Sequence, residues 1–353
     1  MKVTRVIKVD NFNPQPQHIR EAADIVAGGG LVVIPTETVY GIAANMLDEK
    51  ALNKLYEIKQ RPKEKPFSLH IDNKNEITEF AKDIPTRAYK LTDKFWPGPL
   101  TLILKAKDKG NIGIRMPDNE VALQVIRAAG VPVVCPSANL TGRPAPIKFA
   151  DAIKDLQGLV DLAIDSGPTK IGVESTVVDL TSACCFQVLR EGTLKTEEIE
   201  KVANKKTVLF VCTGNSCRSV MASALLTKKL KEAKRLDVEV LSAGMMSGGL
   251  GATEETRELL RQEGMDVSGH RSQRVTKEMM DRSDIILVME KLHEQRLLQL
   301  APEIKNRLFL LKEFAKINNN NMNIDDPIGR TMEFYEETLA VIKEATERIA
   351  QII

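Results

Sequence analysis

The stretch TVLFVCTGNSCRS, residues 207–219, restricts the possible folds more than any other part of this 353-residue chain. A short apolar β-type run, Val208 to Val211, stops at Cys212-Thr213-Gly214-Asn215-Ser216-Cys217-Arg218-Ser219, and an amphipathic helical pattern (Val220, Met221, Ala224, Leu225) begins at once. Cys212 and Arg218 stand at C-x5-R spacing. One tight loop of that length wraps a tetrahedral oxyanion: backbone N–H groups point inward and the following helix adds its positive dipole end. Arg218 can grip two phosphate oxygens in a bidentate fork. Cys212 lies beneath the phosphorus, its thiolate stabilised by the same positive field. Gly214 and Asn215 are residue types that tolerate the left-handed backbone such a loop needs. A buried structural cysteine before an ordinary β–α turn is the plain alternative, and the order of strand, loop and helix weighs against it.

Val211 to Ser219 resembles the active loop of the low-molecular-weight protein phosphatases, C-x-G-N-x-C-R-S. Asp325-Asp326-Pro327 is similar to that family's Asp-Pro loop, and Ser242-Ala243-Gly244 and His270-Arg271-Ser272 also match. The likeness implies a Rossmann-like domain with a central parallel sheet over residues 204–353. It further implies a two-step displacement without a cofactor. Cys212 attacks phosphorus, Arg218 holds the phosphate, and Asp326 protonates the leaving group and then activates water. Asp325 is the alternative acid. Thr213, Gly214, Asn215, Ser216, Cys217 and Ser219 complete the phosphate loop. In it Ser219 donates to the Cys212 thiolate, Asn215 braces the backbone, and Cys217 either packs or forms a reversible disulfide with Cys212. The substrate stays open between phosphotyrosine and phosphoarginine. Tyrosine-directed relatives carry aromatics after Asp-Pro, where this chain has Ile328-Gly329, and arginine phosphatases carry Thr where this chain has Ser216. A small hydroxyl and no aromatic wall tilt the reading towards phosphoarginine. Arsenate reduction needs further relay cysteines, and none follows Cys217.

The chain is too long for that domain alone. Its net charge of +2 gives no global field that points to nucleic acid or a membrane. No apolar run approaches a membrane span, and the opening MKVTRVIKVDNF lacks the apolar core of a signal peptide, so a soluble cytoplasmic protein is expected. Five cysteines form neither a disulfide framework nor a C-x2-C metal site, and adjacent Cys184-Cys185 read as packing residues.

Before residue 204 the pattern alternates helices and strands. Ile19, Ala22, Ala23, Val26 and Ala27 mark a helix over 17–27, and residues 31–35 read as a buried strand. A helix over 51–58 precedes Lys59-Gln60-Arg61-Pro62-Lys63-Glu64-Lys65-Pro66, a basic, proline-stiffened loop, and then a strand over 67–71. Small polar or basic clusters close successive apolar runs: Thr36-Glu37-Thr38-Val39-Tyr40-Gly41, Ile114-Arg115-Met116-Pro117, Pro136-Ser137-Ala138-Asn139, Glu174-Ser175-Thr176 and Leu189-Arg190. Strand ends are where an α/β sheet presents side chains to a ligand, and these supply cations and hydroxyls for a polyphosphate and a small zwitterion. No Walker sequence is present.

These clusters, P-T-E-T-V-Y-G, K-x-R-P, P-S-A-N and S-T-V-V-D, resemble the threonylcarbamoyl-adenylate synthase family. The resemblance implies a twisted α/β sheet with an open cavity over residues 1–203. It implies synthesis of threonylcarbamoyl-AMP and pyrophosphate from L-threonine, bicarbonate and ATP, with Mg²⁺ accompanying ATP and no other metal. Partner proteins would carry the product to tRNA. By position, Thr38, His70, Arg115, Ser137 and Ser175 would contact threonine. Lys59, Arg61, Lys65, Asn111, Asn139 and Arg190 would hold ATP. Asp118-Asn119 departs from the many relatives that carry a histidine there. Taken together, the chain reads as a bifunctional enzyme acting also on a phosphoprotein. The alternative is a cationic RNA-binding module without synthase activity joined to a tyrosine phosphatase. The Asn-rich tract 317–323 reads as a loop delivering the acid.

Overall fold

The computed structural model describes residues 3–182, 185–317 and 321–353. It divides into two compact units, Met1–Ala203 and Asn204–Ile353. The middle of the Asn-rich tract, residues 318–320, and Cys184 lie outside the described residues.

Among the described residues of the first unit, ten strands form one mixed sheet: β1 (Arg5–Lys8), β2 (Val32–Ile34), β3 (Gly41–Asn45), β4 (Leu69–His70), β5 (Leu100–Lys105), β6 (Asn111–Arg115), β7 (Val133–Val134), β8 (Leu162–Asp165), β9 (Thr176–Asp179) and β10 (Gln187–Arg190). Their spatial order is β1-β8-β2-β3-β7-β4-β6-β5-β9-β10. The strand expected over 31–35 is shorter because the Leu31 N–H goes to the Asp161 carboxylate and Pro35 has none to give. The 67–71 strand likewise reduces to Leu69–His70.

Around β2 both sheet faces are covered. Val32 and Ile34 pack beneath the helices Pro16–Ala27 and Glu120–Ala129, while Leu31 and Val33 pack against Glu49–Lys59 and Phe149–Leu156. Around β5 and β6 only one face is covered. Leu100, Leu102, Leu104, Ile112, Ile114 and Val178 join the core beneath the helices Thr86–Phe95 and Thr196–Ala203. Truncating any of these fully buried leucines to Ala would cost about 2–5 kcal/mol. The alternate residues, Thr101, Ile103, Gly113, Arg115, Val177 and Asp179, line a cavity instead. The register Ile103↔Gly113, Thr101↔Val177 and Ile103↔Asp179 sets them side by side.

The second unit has an all-parallel sheet of β11 (Lys206–Cys212), β12 (Val238–Gly244), β13 (Ile285–Val288) and β14 (Leu308–Leu310), in the order β12-β11-β13-β14. Strand β11 is buried on both sides. Val208 and Phe210 meet the helices Arg218–Glu232 and Met332–Ile352, whereas Leu209 and Val211 meet Ile286, Val288 and Leu310. Strand order reverses between β11 and β13, and Cys212 ends β11 beside that crevice.

Candidate active sites

The first-unit cavity has a volume of about 600 Å³, within the range of small-molecule sites. Its floor is the uncovered face of β5, β6 and β9, and its walls come from the segments that follow the helix Glu49–Lys59 and β7, from Glu174 and Ser175 before β9, and from Arg190 at the end of β10. His70, Arg115, Ser137 and Ser175, read as threonine contacts, all line it, as do Lys59, Arg61, Asn111, Asn139 and Arg190. Thr38 and Lys65 do not. Thr38 is fully buried one layer behind, its Oγ1 accepting from Arg115 Nη2 at 2.8 Å. Lys65 is exposed and serves through its backbone carbonyl, which accepts from Arg61 Nε at 2.7 Å.

Arg61 is fixed by its surroundings. The guanidinium donates also to Pro66 O at 3.1 Å and lies 5.2 Å from the centre of the Phe67 ring, which stacks on Tyr56. Lys59 is held differently. Its Nζ donates to Ser137 O, Asn139 O and Asn139 Oδ1, each at 2.7 Å, and Ser137 Oγ donates to the same Oδ1. Burial and the nearby Arg61 draw its pKa down to about 8. Three acceptors matching the three donors of an ammonium keep it charged at neutral pH. Lys59, Ser137 and Asn139, expected on two different substrates, are thus bound to one another.

Ser175 is shared between Thr101 Oγ1 at 2.9 Å and Arg190 Nη2 at 3.2 Å, while Arg190 Nη1 pairs with Glu174 at 2.9 Å. His70 is buried, its Nδ1 3.2 Å from Ser68 O, and burial together with Arg115 pushes its pKa down to about 3, so the ring is neutral. Asn119 is a helix cap, accepting from Ala122 N at 3.0 Å and donating to Asn11. Of the two departing positions, Asn119 is thus structural, and Asp118 pairs with Lys170 at 3.6 Å. Reading the sequence missed Glu37, which pairs with Arg115, and Cys135, whose buried thiol lines the cavity with its pKa pushed up to about 12. Gly41 has no room for a side chain because a Cβ would lie 2.4 Å from Cys135 Sγ. Among the described residues no three His, Cys, Asp or Glu side chains cluster to hold a metal.

In the second unit, residues 213–217 curl from the end of β11 into the helix Arg218–Glu232. Asn215 takes φ +53° and ties the loop together: its N–H reaches Cys212 Sγ at 3.3 Å, and Nδ2 donates to Ser219 Oγ at 2.9 Å and Ser242 Oγ at 3.0 Å. Gln273 N donates to its Oδ1 at 3.0 Å, and His270 Nε2 lies 2.8 Å from its carbonyl. Ser219 Oγ is 3.0 Å from Cys212 Sγ. Gly214 is not in the left-handed region; the glycine that contact demands is Gly244, where a Cβ would sit 2.9 Å from three backbone atoms of residues 213–215. Ser242 to Gly244 form the end of β12.

Arg218 is buried to 1% exposure. Its Nη1 donates to Glu290 and to Ile324 O (2.7 Å), and its Nη2 to Asp326 and to Thr213 Oγ1 (3.1 Å). Glu290 and His293, supplied just beyond β13, were not recognised in the sequence. His293 Nε2 lies 3.0 Å from Thr213 Oγ1, and burial is the main cause lowering its pKa. Cys217 is a free thiol facing Thr253 Oγ1 at 3.4 Å and Tyr335 OH at 3.7 Å, in a packed setting. Ser216 is buried and Ile328 half exposed. Cys185 is exposed, contrary to the packing role expected of it: its segment, which leads into β10, lies on the surface. No helix among the described residues is long and apolar enough to cross a membrane.

Residues 24–192 match the Sua5/YciO/YrdC family, described as telomere recombination, and residues 207–353 match the low-molecular-weight phosphotyrosine protein phosphatases. A threonylcarbamoyl-AMP synthase of Pyrococcus abyssi is 40% identical over 216 residues, which cover 59% of this chain and 63% of that protein. The crystal structure of P. abyssi Sua5 complexed with L-threonine is similar at a TM-score of 0.54 and 30% identity, covering 79% of this chain and 96% of that one. The YwlE arginine phosphatase of Geobacillus stearothermophilus is 35% identical, covering 41% of this chain and 91% of that one, with a TM-score of 0.37. The chain spans 63% and 58% of the lengths of two curated synthases that it matches. It belongs to the Sua5/YciO/YrdC family through its first unit and to the low-molecular-weight phosphotyrosine protein phosphatases through its second.

Proposed function

We propose that the first unit forms threonylcarbamoyl-AMP. The amine of L-threonine condenses with bicarbonate, forming the N–C bond of a carbamate and releasing water; the carbamate oxygen attacks the α-phosphorus of ATP, and pyrophosphate leaves. The observation that carries this reading is one cavity lined by four arginines, Arg61, Arg115, Arg143 and Arg190, beside the Ser137 and Ser175 hydroxyls. Arg115 suits the carboxylate, and Arg61 and Arg190 suit the phosphates. No side chain needs to act as a nucleophile, so the protein's part is positioning and charge stabilisation. Mg²⁺ enters as the counter-ion of ATP. Lys59 acts by holding Ser137 and Asn139 in place. The activated product passes to partner proteins that modify tRNA. The test is threonine-dependent release of pyrophosphate from ATP. Arg61→Ala should suppress it and leave phosphatase turnover untouched, and salt-sensitive RNA binding without turnover would reject the reading.

We propose that the second unit hydrolyses a phosphorylated protein side chain, with phosphoarginine preferred. Cys212 Sγ attacks phosphorus, the bond to the leaving nitrogen breaks, and Asp326 supplies its proton. Water then attacks the cysteinyl-phosphate, giving its proton to Asp326 and releasing phosphate. Support for Asp326 over Asp325 as the acid is position: its carboxylate reaches Arg218 and so stands at the phosphate loop. Support for arginine is the small hydroxyl at Ser216 together with aliphatic, half-exposed Ile328 beside Asp326. Comparing kcat/KM on phosphoarginine and phosphotyrosine peptides tests it, and a tyrosine preference would reject it.

A further inference from the structure

We propose that Glu37 is a positioning residue that fixes the guanidinium of Arg115 so that one edge alone is offered to a substrate carboxylate. This rests on the reading of Arg115 as the carboxylate contact. Arg115 has five N–H donors in a rigid plane. The Nε–H goes to Gly98 O at 3.3 Å, and the two on Nη2 go to Glu37 Oε1 at 2.7 Å and Thr38 Oγ1 at 2.8 Å. Those bonds fix the plane and consume three donors. Among the described residues Nη1 makes no hydrogen bond, and Arg115 lines the cavity whereas Glu37 lies behind it.

The pair is poorly suited to a purely stabilising role. Glu37 is buried to 2% exposure, and its Oε2 has no hydrogen-bond partner among the described residues. An unsatisfied buried carboxylate oxygen is costly, and buried ion pairs often add no stability over apolar packing. What the arrangement provides is direction and charge balance. The supports are themselves held: Ile171 N donates to Glu37 O at 2.8 Å, Gly172 N to Thr38 O at 3.0 Å, and the Thr36 and Thr38 hydroxyls lie 2.9 Å apart. With its charge offset by Glu37, Arg115 selects a carboxylate by the in-plane geometry of Nη1 rather than attracting any anion.

The test is calorimetric binding of L-threonine and of L-threoninol, which carries a hydroxymethyl group in place of the carboxylate, to the intact protein. Wild type should prefer L-threonine at least about tenfold, the scale of one charge-assisted contact. Glu37→Ala should erase that preference while ATP affinity stays within about twofold, since the phosphate contacts lie elsewhere. Glu37→Gln keeps an acceptor at the same reach and should retain the preference. Should the alanine variant fail to fold, Glu37→Asp keeps the charge, falls short of Nη2, and is expected to lose the preference alike. Preference retained in Glu37→Ala or Glu37→Asp but lost in Arg115→Ala overturns the role of Glu37 alone. Preference retained in Arg115→Ala overturns the reading of the carboxylate site, and the proposal with it.

Discussion

Replacing Glu290 with Ala puts the geometry of the phosphate loop to a quantitative test. Arg218 is a buried cation between two carboxylates, with Glu290 and Ile324 O on Nη1 and Asp326 and Thr213 on Nη2, while its Nε has no partner among the described residues. Stranding one member of a fully buried pair costs about 3–5 kcal/mol. Glu290 retains 25% side-chain exposure and Asp326 remains as a counter-charge, so the cost is that of one charge-assisted bond, about 2 kcal/mol. Hydrogen exchange along the helix Arg218–Glu232 reads it locally, as a loss of protection of about 30-fold. The kinetic effect should be larger. Without Glu290 the guanidinium is drawn towards Asp326, which engages the acid and moves Arg218 out of its place beside the loop. A displacement of about 1 Å at such a site costs about 10²-fold in kcat/KM. Glu290→Gln, which keeps an acceptor, should recover most of the protection and part of the rate. If Glu290→Ala matches wild type in both exchange and kcat/KM, Glu290 does not orient Arg218 and the reasoning fails.

Synthase kcat/KM for ATP should fall as pH rises through about 8, because a neutral Lys59 amine cannot serve all three acceptors; a profile flat well beyond that value refutes it. His70 titrates near 6.5 when unfolded but near 3 when buried, so the unfolded chain binds the extra proton between those values. Its contribution to stability is therefore complete above pH 6.5 and lost as pH falls towards 3, and His70→Asn should flatten that slope in urea titrations of the first unit. Gly244→Ala should push back residues 213–215 and lower phosphatase kcat/KM more than tenfold, with threonine-dependent pyrophosphate release unchanged. Cys212→Ser should abolish phosphatase turnover alone, and loss of both activities would refute the independence of the two units.

Motifs, whether one short segment or clusters at strand ends, were legible in the sequence, and the contacts that side chains make across segments were not. Cys212, Asn215, Arg218 and Ser219 sit within eight residues and announce an oxyanion loop. Glu290 and His293 lie in V-M-E-K-L-H, an ordinary helix start until β13 carries it beside β11. In the first unit most of the residues read from the sequence line one cavity, but depth was not visible. Thr38 and Arg115 are both strand-end residues, and only the fold shows that one stands behind the other. Lys59 reads as a phosphate cation until Ser137 and Asn139, nearly eighty positions away, converge on its amine. Which face of β5 and β6 is covered depends on helices that local pattern does not assign.

The bracing of residues 213–217 by Asn215 has a thermodynamic consequence for any anion that enters. Ordering a floppy loop costs about 1–2 kcal/mol of conformational entropy per residue, so a disordered loop of this length would charge roughly 5–10 kcal/mol against binding. Here the ordering is done when the chain folds, through the bonds from Asn215 to Ser219, Ser242 and Gln273. Phosphate should then bind with a small entropy change and leave amide exchange in the loop almost unaltered, and its affinity would report the electrostatics of the site rather than the stiffness of the chain.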